Sequence, residues 1–181
     1  MVIKYESTKV RQKQIIDAAR KVLIRYGTEH ITVRRIAREA GISEAAVYRH
    51  FKSKRDVLSL LADHIEDNLV GDVTRATVQG YMPLETLNSV LGSRLSTIEQ
   101  RRGISFQVIT QIVSLGDKKL NGKMTLTIDR YKSCLKDLLA EGVKSGEVRG
   151  DIDLEAATTA LYSMIQGLVS IWTLNNYSFN L

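Results

Sequence analysis

Apolar residues recur at steps of three and four along nearly the whole chain, as in Ile15, Ala19, Val22 and Leu23 near its start and Leu161, Ile165, Leu168 and Trp172 near its end. That period lines them up on one side of an α-helix, and no clean alternation of β-branched and polar residues offers a strand. Proline occurs once, as Pro83, so long helices are not interrupted by it. The chain therefore reads as all-α. Its 181 residues allow one domain, or a small domain joined to a larger one, with length enough to bury a core.

Charge divides the chain unevenly. Residues 1–55 hold 14 Lys and Arg against 5 Asp and Glu, or +9, while residues 56–181 hold 12 against 15, or −3, which together make the net +6. A solvated helical face accounts for part of such an excess, but its concentration in one compact unit is what neutralising nucleic-acid phosphates requires. No apolar stretch reaches the length of a membrane span, and the start, MVIKYESTKVRQKQ, is charged where a signal peptide is apolar. A cytoplasmic location is expected, with no membrane partner. The single cysteine, Cys134, has no internal partner and agrees with a reducing compartment.

The basic third carries the most informative pattern. Residues 9–26 form an amphipathic helix with Ile15, Ala19, Val22, Leu23 and Tyr26 inward, and Gly27 stops it. Thr32 offers an N-cap to a short helix over 33–40, Gly41 suits the left-handed residue of a tight turn, and Ser43 caps a second short helix reaching about His50. Two short helices about such a turn make a helix-turn-helix, although a plain helical hairpin could show the same glycine and alanines.

The outer face of the second helix favours the former. It presents Glu44, Ala45, Tyr48 and Arg49, and recognition helices point such residues at base edges. Arg49 matches guanine O6 and N7, Glu44 accepts from cytosine N4, and Ala45 meets a thymine methyl. At the start of the preceding helix, Thr32, Arg34 and Arg35 would face the DNA backbone, with one arginine in reach of a base. Thr32, Tyr48, His50 and Lys54 are placed to hold phosphates. Ser53 and Asp56 then form a capping box for a helix with Val57, Leu58, Leu61, Ile65 and Leu69 on one side, a lever running away from the DNA.

Residues 11–60 resemble the tetracycline-repressor (TetR) family of bacterial regulators. The resemblance is carried by IIDAARKVLIRYG and ITVRRIAREAGISEAAVYRHFKSKRDVL, with Ala19, Gly27, Thr32, Ile36, Ala37, Ala40, Gly41, Ser43, Tyr48, Phe51 and Lys54 in order. It implies an all-helical homodimer, with Thr32, Tyr48, His50 and Lys54 on phosphates and Arg34, Arg35, Glu44, Ala45 and Arg49 nearest the bases. A three-helix DNA-binding domain over residues 1–53 would precede a helical domain over 54–181 for dimerisation and effector binding. Ala45 stands where many members have glycine, and the sequence stops after NNYSFNL, where many add a further helix, so part of the usual dimer interface is expected to be short, rearranged or outside this sequence.

Beyond residue 70 the pattern gives architecture. Residues 71–82 read as a loosened helix end or loop, and Pro83 suits the first position of a helix carrying Leu84, Leu87, Leu91, Leu95 and Ile98. Residues 104–115 are apolar on more than one face, which predicts a central buried helix. A basic loop, GDKKLNGK, leads into a long helix with Leu120, Met124, Ile128, Tyr131, Leu135, Leu138 and Leu139. Asp153 caps a last helix with Leu154, Ala157, Leu161, Met164, Ile165, Leu168 and Trp172 in one stripe, while Ala160, Gly167 and Leu174 add apolar surface elsewhere. So wide an apolar arc suits a two-fold helical interface.

Phe106, Ile109, Gln111, Met124, Tyr131, Tyr162, Met164 and Trp172 are candidates to line a largely apolar effector pocket, with simple core packing the alternative for each. His30, His50 and His64 have no metal-ligand spacing, and no cofactor motif, phosphate-binding glycine loop or G-x-S-x-G turn occurs. No enzyme is expected. The sequence is expected to encode a ligand-responsive repressor that binds a pseudo-palindromic double-stranded operator as a homodimer. An effector-independent DNA-binding dimer and a helical protein-interaction module are the alternatives.

Overall fold

The capping residues mark where the chain turns. The computed structural model describes residues 8–27 and 30–181. Among these, eight helices and no strand occur: α1 (Thr8–Tyr26), α2 (Val33–Ala40), α3 (Glu44–Tyr48), α4 (Lys54–Thr77), α5 (Pro83–Gln100), α6 (Ile104–Leu115), α7 (Lys118–Ser145) and α8 (Leu154–Leu174). The charged start of the chain, read above as unsuited to a signal peptide, lies outside the described residues through residue 7.

Thr32 Oγ1 accepts from the Arg35 amide at 3.2 Å and starts α2. Gly41 sits at φ 66°, a left-handed conformation that costs glycine no side-chain clash, and lets the Ile42 amide donate back to Ala37 O at 3.0 Å. Ser43 Oγ then accepts from the Ala46 amide and starts α3. Ile36, Ala37 and Val47 are buried at this crossing against Ile15, Ala19 and Leu23 of α1. Tyr26 departs from the expectation: it is exposed, and its ring serves as a platform for Arg35.

Ser53 and Asp56 form the predicted capping box at the start of α4, each side chain accepting from the other's backbone amide. The helix then runs past Gly71, where a loosened end was expected. Val73 and Ala76 extend the buried stripe of Leu61, Ile65 and Leu69 by two more steps, and that packing outweighs the roughly 1 kcal/mol helix cost of one glycine. The basic stretch after Gly116 is likewise helical. Asp117 accepts from the amides of Lys119 and Leu120 and begins α7 at once, with Arg55 of α4 bonded to the same carboxylate.

One apolar cluster continues from Ile15 of α1 through α4 to Leu139 of α7. Against expectation, α6 is not buried all round: Ile104, Val108 and Ile112 are buried toward α1, α4, α7 and α8, whereas Val113 and Leu115 face outward. A second small cluster joins Ile98 to Val169 and Trp172. There the Trp172 indole donates to Phe179 O at 2.6 Å, and Tyr177 packs edge-on against the ring.

The Ser53→Ala variant removes one arm of the capping box and should lower stability by about 1 kcal/mol. Thermal unfolding should then shift down by roughly 2–4 °C.

Candidate nucleic-acid interface

The turn at Gly41 brings the N-termini of two short helices to one end of the molecule. Thr32, Arg34 and Arg35 belong to the start of α2, and Glu44 and Ala45 to the first turn of α3, while Tyr48 and Arg49 lie at the other end of α3. All seven are exposed. The Tyr48 ring, half of it open to solvent, is a large group that the small core leaves outside on α3. Its position follows from Val47, whose full burial turns the next residue outward.

Polarity supports these positions from behind. Gln14 of α1 donates to Ala40 O at 2.9 Å, and Glu39 of α2 draws in Arg25 and Lys21 at 3.6 and 4.0 Å. These contacts tie α1 to the end of α2 and leave the far side of the pair open. Thr32 Oγ1 uses a lone pair on the Arg35 amide, so its hydroxyl proton remains available to an external acceptor. The side chains of Glu44, Arg34 and Arg49 have no hydrogen-bond or ion-pair partner among the described residues.

Two candidates are more engaged than expected. The Arg35 guanidinium lies 4.9 Å from the Tyr26 ring centroid, a cation–π contact that holds it toward α1. His50 is half-buried, its ring 6.4 Å from that of Phe51. Lys54 is half-buried at the first position of α4. The nine DNA-facing candidates are therefore gathered on α2, α3 and the entry to α4, with charge and hydroxyls outward and Ile36, Ala37, Val47 and Phe51 beneath.

The effector-pocket candidates are not brought together. Met124 and Tyr131 are buried in the main cluster, Ile109 and Tyr162 pack at its margin, and the Tyr131 and Tyr162 rings stand 6.4 Å apart. Phe106 and Trp172 belong to the separate small cluster. Gln111 is half-buried. Met164 is 69% exposed on the outer side of α8 and lines no interior space, because the helix buries Thr158, Val169 and Trp172 instead.

A cavity does exist, between α1, α4, α5 and α6. Its lining includes Arg20, His64, Arg94 and Arg101, none of which the sequence had marked. The only signal for Arg94 is its position between Val90 and Ile98 at steps of four. Among the described residues no group of acidic, His or Cys side chains could hold a metal ion, and no helix is long and apolar enough to cross a membrane.

On α8, Ala160, Gly167 and Leu174 are all exposed, Leu174 by 78%. With Met164 and Ile171, they leave small and apolar groups uncovered along one side of the helix.

A short helix presenting an acid, an alanine, a tyrosine and an arginine above a buried turn is a DNA-reading helix-turn-helix. A model described as bacterial regulatory proteins, tetR family, matches residues 15–61, and one described as YsiA-like protein, C-terminal region, matches residues 63–181. The chain belongs to the tetR family, whose members are transcriptional regulators and not enzymes.

Among known relatives, the fatty acid metabolism regulator protein of Bacillus subtilis is 25% identical over 169 residues, 93% of this chain and 86% of that one. The nucleoid occlusion factor SlmA of Idiomarina loihiensis is 27% identical, covering 95% of this chain and 88% of its own. Among solved structures, the TetR family regulator PfmR from Thermus thermophilus has a TM-score of 0.74 at 26% identity, with 86% of this chain and 84% of that one covered. FadR from Bacillus subtilis in complex with stearoyl-CoA shares the fold, with a TM-score of 0.78 at 24% identity and 93% and 90% coverage.

The dual use of Thr32 is open to test. Thr32→Ala should weaken binding to specific and nonspecific duplexes alike, because it loses both the cap and the outward hydroxyl proton, whereas Thr32→Ser should retain both. Fluorescence anisotropy on the two duplex types reads the difference.

Proposed function

We propose that this transcriptional regulator is a homodimeric, ligand-responsive repressor. Residues 1–53 serve as its DNA-binding unit and residues 54–181 as its dimerisation and effector unit. The observation that carries the reading is the outer face of α2 and α3, where Arg34, Glu44 and Arg49 are exposed and unpartnered on the part of the chain that holds the positive charge. Arg49, Glu44 and Ala45 read base edges, with Arg34 beside them and Arg35 released from Tyr26 on docking. Thr32, Tyr48, His50 and Lys54 hold the backbone and set the register.

Two subunits place their α3 helices in successive major grooves, roughly 34–36 Å apart, over an inverted repeat. The uncovered side of α8 with Ala160, Gly167 and Leu174 supports a two-fold helical interface, since small residues admit close approach and apolar ones reward it. The stearoyl-CoA bound by the Bacillus subtilis FadR structure supports an effector with a substantial apolar part. Such a molecule controls DNA binding only through its different affinities for two subunit geometries, a coupling typically of about 1–3 kcal/mol.

Selection of sites from a random duplex library tests the DNA reading, with an inverted repeat expected and no enrichment counting against it. On the selected site, Arg49→Ala should relax preference at one base pair by about 1–3 kcal/mol. Lys54→Ala should weaken all duplexes alike and reduce the salt slope by about one.

The dimer has its own test. Leu174→Glu together with Gly167→Glu should yield monomers by light scattering and abolish tight operator binding. A double variant that stays dimeric would move the interface away from α8.

A further inference from the structure

The buried side of α5 carries a charge that its surroundings do not neutralise. Val90, Arg94 and Ile98 succeed one another along that side, and Arg94 is only 5% exposed. Its Nη2 donates to Ser105 Oγ of α6 at 3.1 Å. No carboxylate forms an ion pair with it among the described residues. Asp72 of α4 acts on it electrostatically, but one oxygen of that carboxylate bonds Arg75 and the other is buried without a partner. The Arg94 charge also reaches Tyr131, whose buried hydroxyl has no hydrogen-bond partner and is pushed up to about 12 by burial, against the pull of Arg94.

Arg94 opens onto the cavity between α1, α4, α5 and α6. Arg20 of α1, Arg101 of α5 and His64 of α4 share the lining, and no carboxylate does. Asp17 offsets part of this from outside the lining, pairing with Arg20 at 3.5 Å. Burial and the charges of Arg20 and Arg101 hold His64 below its ordinary proton affinity, with Asp67 and Asp17 opposing. The rest of the wall is largely apolar, with Leu61, Ile65, Ile98, Ile104 and Val108. Burying an arginine without an ion-pair partner is costly, and one hydrogen bond returns little of that cost. An incoming anion would restore it.

We propose that this cavity is an anion-accepting effector site. Arg94, with Arg20 and Arg101, receives the carboxylate or phosphate head of an amphipathic molecule whose alkyl part lies along Leu61, Ile65, Ile104 and Val108. The proposal rests on the ligand-responsive reading above and names the chemistry and place of its effector. Two features connect the site to DNA binding. Arg20 lies on α1, which packs against the helix-turn-helix, while Arg94 and Arg101 lie on α5 and its C-cap, so an anion between them ties the reading head to the effector unit. The cavity measures about 30 Å³, room for a water-sized group only. An alkyl chain therefore enters only when the helices part, and binding selects the opened arrangement.

Thermal unfolding of the full chain with decanoate, decyl phosphate, decanoyl-CoA or neutral 1-decanol tests this, with operator affinity measured in the same mixtures. At least one of the three anions should stabilise the protein and 1-decanol should not; decanoate and decyl phosphate separate a carboxylate head from a phosphate one. Arg94→Met should leave the unliganded protein as stable as its parent or more so, and weaken anion binding at least about tenfold. Arg101→Ala, at an exposed position, should weaken it severalfold with unliganded stability unchanged, which keeps the test valid if the Met variant does not fold.

Equal stabilisation by 1-decanol, no stabilisation by any of the anions, or unchanged anion binding in both variants overturns the site. Binding as expected with operator affinity unmoved would leave the site standing and overturn the ligand-responsive reading.

Discussion

The apolar side of α4 is the constraint on which the rest depends. Val57 and Leu58 at its start join the core beneath the helix-turn-helix, and Leu61, Ile65, Leu69 and Val73 continue the same side into the packing of α5, α6 and α7. Because one helix contributes to the packing at both ends, no break in the apolar core separates the helix-turn-helix from the helices below it. The capping box at Ser53 sets where that element begins, and therefore how the recognition face is carried relative to everything below it.

This continuity gives the recognition face its precision. The helices α2 and α3 are eight and five residues long, too short to hold shape alone. Their exposed Arg34, Glu44, Tyr48 and Arg49 are positioned because Ile36, Ala37 and Val47 are locked against α1 and Phe51 joins the same core. The side chains that face outward take their positions from neighbours that face inward.

The recognition end was largely legible in the sequence because its signals are local. A capping hydroxyl acts within three residues, a left-handed glycine within one, and a helical face within two turns. Farther along, the same local rules failed where packing overruled them. Gly71 looked like an end to α4 but is carried through by Val73 and Ala76. Of the stripe Leu84, Leu87, Leu91, Leu95 and Ile98 on α5, Leu87 and Ile98 are buried as the spacing suggests, yet the helix is turned so that Val90 and Arg94 lie inside with them and Leu84 is out. An arginine among leucines reads as a solvent-facing residue, and only the arrangement of α4, α6 and α7 around α5 shows otherwise.

The sequence by itself determined that the chain is helical, where its short N-terminal helices begin and turn, and which polar residues face outward from them. Those properties depend on hydrogen bonds and periodicities spanning a few residues. Only the tertiary structure decided that α4 continues to Thr77, that α6 is not buried all round, that Met164 is exposed, and that Arg20, His64, Arg94 and Arg101 surround one cavity. These four residues come from three helices and lie up to 81 positions apart in sequence, and their convergence follows from which faces pack together, a choice made jointly by all the helices rather than by any one of them.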